Sequence, residues 1–183
     1  MRNRFALLAA LNALALLVTY AAGWVSWLRQ GALHPQEPTY LVHFVLGLST
    51  IILTLLVHCV VFTYFLGTGR WVKEVGLAYD LPDEPLPKRT RELKRRTFPP
   101  ALAAMLIAIA TAAAGMGTQV RAWPWPIHAA LATLTLLVNA WAFVVEYRAV
   151  TVNAGVIEQV MREVERIRAE RGLPPSAVAL KQE

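Results

Sequence analysis

Four long apolar runs, each almost free of charged side chains, constrain this chain more than any other feature of its sequence. They cover residues 5–27, 40–66, 100–118 and 127–150. An α-helix rises about 1.5 Å per residue, so about 20 apolar residues cross the hydrocarbon core of a bilayer. Every backbone polar group must be paired inside such a segment, which favours helices. The sequence therefore predicts an all-α fold, an integral membrane four-helix bundle in up-down-up-down order.

The distribution of lysine and arginine predicts how these helices are oriented. Of the 18 such residues, 16 lie in the N-terminal segment, in the loop 67–99 or beyond residue 147, and only Arg29 and Arg121 lie in the other two connections. The positive-inside rule places the more basic side in the cytoplasm. We therefore expect both termini to be cytoplasmic, in a plasma membrane of the bacterial type.

The first apolar run has a second interpretation. Its basic start and the small residues Ala21 and Ala22 also fit a cleaved signal peptide. Cleavage would leave three spans with the same orientation, so the charge distribution does not decide between the two.

The cytoplasmic loop 67–99 contains most of the basic side chains. Within it, 70–79 is predicted to be a short helix at the interface, and the proline-rich segment 81–87 an extended linker. The basic run that follows consists of Lys88, Arg89, Arg91, Lys94, Arg95 and Arg96. We expect it to contact anionic lipid head groups, at about 1 kcal/mol per residue, or to act only as an orientation signal. No aromatic residue interleaves the run, so no nucleic-acid partner is expected.

The segment beyond the fourth span, residues 151–183, is predicted to begin with a cytoplasmic amphipathic helix. This C-terminal helix covers 153–171, and Gly172 ends it. Its apolar stripe consists of Ile157, Val160, Val164 and Ile167, at helical spacing. The stripe has three candidate surfaces, which are the cytoplasmic loop, the membrane surface and a partner protein.

Histidines inside the spans are candidates for chemistry, because ionisable residues are costly in a membrane. His43 and His128 lie just inside the second and fourth runs, at equal depth near the outer face. In a four-helix bundle these two helices face each other across the core. The pair is therefore predicted to be able to bind a b-type haem through both axial positions. The nearby His34 and Glu37 make an outer-face metal site a second possibility.

The second run, His43-Phe-Val-Leu-Gly-Leu followed by Leu-Leu-Val-His58, is loosely similar to the haem-binding helices of membrane cytochromes b. Those families carry two histidines about four turns apart, with a small residue between them. The resemblance implies haem binding, but the fourth run departs from the pattern because Asn139 stands where its second histidine would be.

A polar layer is predicted deeper in the bundle, where Asn12, His58, Thr111 and Asn139 fall at comparable depth in the four runs. Hydrogen bonds between membrane helices contribute on the order of 0.6 kcal/mol each. Packing alone explains such a layer, with His58 as a paired residue and not a ligand. Glu146 lies near the cytoplasmic end, where a local ion pair with Arg148 or snorkelling explains it.

Two further patterns concern the relations between helices. Ala104, Ala108 and Ala112 form a small-residue face that permits close helix packing or self-association. Leu53-Thr-Leu-Leu-Val-His58 also parallels Leu134-Thr-Leu-Leu-Val-Asn139, as a duplicated helical hairpin would.

The motifs that are missing narrow the choice of function. The sequence contains no signature of a serine hydrolase, zinc protease or P-loop enzyme, and Cys59 is its only cysteine. We therefore expect a non-enzymatic accessory or scaffold subunit that presents the basic loop and the C-terminal helix to a partner. The alternatives are an electron-transfer subunit with a b-type haem at His43 and His128, and a small channel or transporter.

Overall fold

The computed structural model describes residues 2–30 and 38–176 and shows four helices in that part of the chain. They are α1 (Arg2–Leu28), α2 (Pro38–Ala78), α3 (Leu86–Gln119) and α4 (Trp125–Glu170). Each is long and apolar enough to cross a membrane. The predicted set of four membrane-length helices is therefore confirmed. His34 and Glu37, offered as metal ligands, lie outside the described residues.

The four helices form a ring in which consecutive helices are neighbours. α1 packs against α2 and α4, α3 packs against the same two helices, and α2 faces α4 across the centre. Side-chain contacts between α1 and α2 pair Thr19 with Thr50 and Asn12 with Thr54, so these helices are antiparallel. The contacts between α2 and α4 run in the opposite sense, because residue numbers rise together along both helices. α2 and α4 are therefore parallel neighbours across the bundle axis.

Two of the helices continue well past their apolar runs. α2 extends without a break through 70–78, where the sequence predicts a separate helix at the interface. α4 contains 46 residues, about 69 Å of helix, and includes almost all of the predicted C-terminal helix. A bilayer core of roughly 30 Å leaves a long arm of each helix outside the apolar layer.

The linker between α2 and α3 covers residues 79–85, two residues before the predicted 81–87. α3 begins at Leu86, with Pro87 in its first turn, and the whole basic run lies on its first turns. Proline fits the first turn because its missing N–H would have no partner there. Pro99 and Pro100, predicted to open the third span, lie inside α3 at the junction between its basic and apolar parts. The loop 67–99 is therefore mostly helical.

A cluster of valines joins the two helical arms. Val72 of α2 and Val156, Val160 and Val164 of α4 are buried against each other. Of the predicted C-terminal stripe, Val160 and Val164 pack against the extension of α2 beyond its apolar run, with Val156 beside them. Burial of these side chains explains why both arms stay helical beyond the membrane, since packing supplies most of the stability of a helix.

The small-residue face of α3 contributes to packing within one molecule. Ala104 and Ala108 are fully buried in the bundle, and Ala112 lies along a cavity described below. Self-association through this face stays a prediction.

Candidate functional site

A cavity of about 400 Å³ opens between all four helices in the half of the bundle near the α1 C-terminus. It lies within the range of small-molecule and cofactor sites. Aliphatic and aromatic side chains supply most of its surface, threonines and two histidines supply its polar groups, and Trp24, Trp27 and Trp125 stand at the end near the α1 C-terminus. The rings of Trp27 and Trp125 are 5.1 Å apart. The cavity is thus mainly apolar, with few polar groups.

His43 and His128 face each other across this cavity. Their ring centroids are 6.0 Å apart, and both side chains are partly buried. His43 Nδ1 lies 3.1 Å from the carbonyl oxygen of Thr19, and His128 Nδ1 lies 3.0 Å from that of Thr111. A carbonyl oxygen only accepts, so each Nδ1 carries the proton and donates. In the neutral imidazole, Nε2 is then the unprotonated nitrogen, which is the one able to bind a metal.

Two glycines let these imidazoles lie directly against the neighbouring helices. A Cβ atom on Gly23 would come within 2.9 Å of His43 Cε1, and one on Gly115 within 3.0 Å of His128 Cε1. Real Cβ atoms essentially never approach so closely as the first of these distances. The glycines therefore set the position of both rings.

The cavity is built from two copies of one arrangement. α1 and α3 each contain Thr-x3-Gly (Thr19 with Gly23, Thr111 with Gly115), and α2 and α4 each contain His-x6-Thr (His43 with Thr50, His128 with Thr135). In each copy the two threonine hydroxyls form a hydrogen bond, of 2.8 Å in the first and 2.7 Å in the second. The structure matches His43 of α2 with His128 of α4. The sequence parallel between 53–58 and 134–139 would instead shift α4 by one helical turn relative to α2. The Thr-x3-Gly and His-x6-Thr spacings are the sequence signal that identifies the correct register.

The predicted polar layer is divided between two levels. Thr111 belongs to the cavity wall, whereas Asn12 bonds Thr54 and His58 bonds Asn139 deeper in the bundle. These contacts bring together only part of the predicted set, because the α1 counterpart of Thr111 is Thr19, two turns away from Asn12.

Glu146 completes the deeper level, which the sequence interpretation missed. Its side chain is fully buried, and Oε1 lies 2.6 Å from Nδ1 of His58. The local ion pair proposed between Glu146 and Arg148 is therefore wrong for this structure, since Arg148 is exposed on a different face. The available signal was spacing: Asn139, Glu146 and Asn153 recur every seven residues and share one face of α4.

The hydrogen bonds around His58 show where protons lie on its ring and between His58 and Glu146. Asn139 Nδ2 donates to the carbonyl oxygen of Thr135 over 2.9 Å, so Asn139 Oδ1 must be the atom 3.0 Å from His58 Nε2. Nε2 therefore carries a proton. One further proton lies between Nδ1 and Glu146 Oε1, either as an imidazolium–carboxylate pair or as a neutral imidazole and carboxylic acid. In both forms the pair has no net charge, which suits its burial.

The basic run occupies a different part of the molecule. Arg91 donates two hydrogen bonds of 2.6 Å each to the Asp83 carboxylate, and Lys88 pairs with Glu84 at 2.6 Å. These contacts tie the start of α3 to the preceding turn. The guanidinium of Arg91 also lowers the pKa of the Asp83 carboxyl, chiefly by hydrogen bonding. The side chains of Arg89, Arg95 and Arg96 are exposed.

Comparison with known protein families, with curated proteins and with solved structures finds no match to this chain. The inference of function therefore depends on the chemistry of its own residues.

Proposed function

We propose that this chain is a membrane protein that binds one b-type haem between His43 and His128 and uses it to transfer electrons. The observation that carries the proposal is the pair of imidazoles across the cavity, each with Nδ1 bonded to a carbonyl oxygen and Nε2 unprotonated. A histidine that binds a metal typically donates its other ring N–H to such an oxygen, which orients the ring. Both rings already have this arrangement.

The spacing of the rings supports a single metal between them. Metal–nitrogen bonds to histidine are about 2.0 Å long, so two imidazoles on opposite sides of one metal ion have ring centres roughly 6 Å apart. The observed separation is 6.0 Å. Among the described residues no group of three or more His, Cys, Asp or Glu side chains gathers at one place. Two ligands are too few for a typical protein-bound zinc ion but are enough for a haem iron, whose porphyrin supplies the other four.

The symmetry and polarity of the cavity favour the same ligand. Two copies of one arrangement present equivalent ligands from α2 and α4, which suits a flat ring system approached from both faces. The wall is mainly apolar, as a porphyrin requires, and Gly47, one turn from His43, lines it without a side chain. Bound there, the haem would supply one-electron chemistry, while the surrounding chain excludes water and orients the two ligands.

The position of the site in the membrane follows from the charge distribution. We propose an up-down-up-down bundle with both termini in the cytoplasm, because 16 of 18 Lys and Arg residues lie on that side. The cavity then lies near the outer face, and the helical arms extend into the cytoplasm.

A second candidate is the accessory or scaffold function, in which the cytoplasmic arms present the basic run to a partner or to anionic lipid. It is favoured by the continuous helices, which hold Lys88 and Arg89 far beyond the apolar part of α3. The valine stripe of α4 already packs against α2, so the remaining surface for a partner is the charged one. The two functions are compatible, since they use opposite ends of the molecule.

An absorption spectrum of the protein purified from haem-replete cells tests the haem proposal. We expect a Soret band and a sharp α-band on reduction. The sharp α-band should be lost in His43→Gly and in His128→Gly, since each variant removes one of the two imidazoles that would hold the haem. Added imidazole should restore the spectrum in either variant, which would show that the bundle is intact. A colourless preparation that also fails to take up added hemin would refute the proposal.

A further inference from the structure

A series of buried polar side chains, separated by buried apolar ones such as Val61 and Val150, follows the contact between α2 and α4 from the cavity toward the cytoplasm. On α4 the series comprises Thr135, Asn139, Glu146 and Asn153, each buried. From His128 to Asn153 the helix rises about 37 Å, more than the roughly 30 Å hydrocarbon core of a bilayer. The polar series therefore extends over the full thickness of the apolar layer.

The α2 side of this contact supplies matching polar groups. Thr50 lines the cavity, Thr54 lies one turn beyond it, and His58 pairs with Glu146. The Tyr64 hydroxyl and Thr68 Oγ1 accept hydrogen bonds from Asn153 Nδ2 over 3.2 and 3.1 Å. Below that point the contact becomes apolar, with the valine cluster of the two arms. Polar groups thus end where the apolar run of α2 ends.

Three polar atoms along this series are buried and lack a partner within residues 2–30 and 38–176. They are Asn12 Nδ2, Glu146 Oε2 and Asn153 Oδ1. Their side chains are fully buried, and they stand at three successive levels of the bundle. Buried polar atoms of this kind are normally satisfied by internal water, at a cost if they are not. A file of water molecules along the bundle axis would provide hydrogen-bond partners for all three atoms.

Packing alone is a poor reason for the His58–Glu146 pair. Burying two ionisable groups costs several kcal/mol in desolvation, and apolar side chains of similar volume often serve equally well or better. Ionisable residues inside a membrane commonly mark ion or proton pathways. Here the pair stands between the cytoplasmic end of the polar series and the cavity, and it shares a mobile proton.

Within residues 2–30 and 38–176, no other titratable side chain is hydrogen-bonded to this pair. The spans of α1 and α3 contribute no charged side chain, and the single tyrosine of α1, Tyr20, bonds Thr133 in the outer half. On α2 and α4, Cys59, Tyr147 and Arg148 are exposed and point away from the axis. Tyr64, next to Asn153, is the titratable group on the cytoplasmic side.

We infer that the bundle axis conducts protons between the cytoplasmic boundary and the outer cavity, by way of Glu146 and His58. In the neutral form of the pair, His58 Nε2–H releases its proton to a water molecule of the axial file, because the Asn139 amide cannot pass a proton on. At the same time the Glu146 carboxyl proton passes to Nδ1. A proton from the cytoplasmic side then returns the carboxylate to the acid. The imidazole turns over to bring its N–H back to Asn139 Oδ1, and the pair is restored. One proton enters and one leaves, with no other chemical change.

Proton flux into liposomes tests this inference. The full-length protein is reconstituted around a trapped pH-sensitive dye, and valinomycin with a potassium gradient imposes a membrane potential. We expect proton uptake several-fold faster than in protein-free vesicles. In Glu146→Gln the protein-dependent flux should be lost, because an amide cannot pass on a proton. The matched control is Glu158→Gln, the same change at an exposed position on α4, which should conduct like the unaltered protein.

Two outcomes would overturn the inference: unaltered protein that conducts no better than empty vesicles, or Glu146→Gln that conducts normally. Asn139→Leu is the second variant, since it removes the acceptor that holds His58 Nε2 and should lower the flux while leaving the carboxyl in place. Circular dichroism and a single elution peak identify variants that do not fold. The inference goes beyond the proposed haem function, and the absorption spectrum of the same samples reports the haem separately from the flux.

Discussion

Replacing both members of the His58–Glu146 pair should cost less stability than the two single replacements together. His58→Phe keeps a ring against Phe143, with which His58 stacks at 5.4 Å, but leaves the Glu146 carboxyl without a partner. The 2.6 Å bond joins two side chains with no exposed surface. A charge-assisted hydrogen bond contributes about 1.5–3 kcal/mol, and an unsatisfied buried group costs about 1–3 kcal/mol more. We therefore expect His58→Phe to lower the free energy of unfolding by about 3–5 kcal/mol.

The second single change should be milder. Glu146→Leu leaves His58 neutral and still bonded to Asn139 through Nε2, so the expected loss is about 1–3 kcal/mol. The double variant contains neither polar group, so its loss should fall short of the sum by about 2 kcal/mol. Unfolding of the four proteins in mixed micelles, followed by circular dichroism, measures this coupling. Strict additivity of the two single losses would refute the reasoning, because it would mean that the two side chains do not depend on each other.

Three further predictions concern other parts of the molecule. Gly23→Ala should displace the adjacent imidazole and weaken hemin binding in an optical titration. Gly67→Ala, whose Cβ meets nothing within 4 Å, should leave hemin binding unchanged and stabilise the helix by up to about 1 kcal/mol. Val160→Ala should destabilise the packed arms of α2 and α4 by about 2 kcal/mol, seen as faster amide hydrogen exchange there and not in the spans. Because Arg91 lowers the pKa of Asp83 in the folded protein, this pair stabilises the turn above the ordinary carboxyl pKa of about 3.9. That contribution is lost as pH falls through the lowered value, and a carboxyl titration by NMR should show the pKa of Asp83 return toward its ordinary range in Arg91→Gln.

Depth in the membrane could be predicted from the sequence because it depends on position along a helix. A rise of about 1.5 Å per residue converts residue numbers into heights. On that basis His43 and His128 were placed at equal depth, and the structure brings their rings to 6.0 Å. The four helices themselves follow from the apolar runs, because the energy of an unpaired backbone group in lipid leaves few alternatives.

Position along a helix, however, does not by itself identify which side chains pair in the deeper polar layer. Glu146 was assigned to the cytoplasmic interface, yet it pairs with His58 inside the bundle. The direction in which a side chain points depends on how its helix is rotated, and packing against three neighbours sets that rotation. The seven-residue spacing shows that Asn139 and Glu146 lie on the same face of α4. It does not show which residues of α2 that face meets.

The sequence by itself determined that the chain forms apolar helices long enough to cross a membrane, since hydrophobic length and charge are local properties. Only the tertiary structure decided that α2 and α4 continue as packed arms, because burial of Val72 against Val160 involves residues distant in the chain. It also decided the register of the two halves around the cavity. The Thr-x3-Gly and His-x6-Thr motifs become one site only when four helices meet, because each imidazole is held by a carbonyl of a different helix.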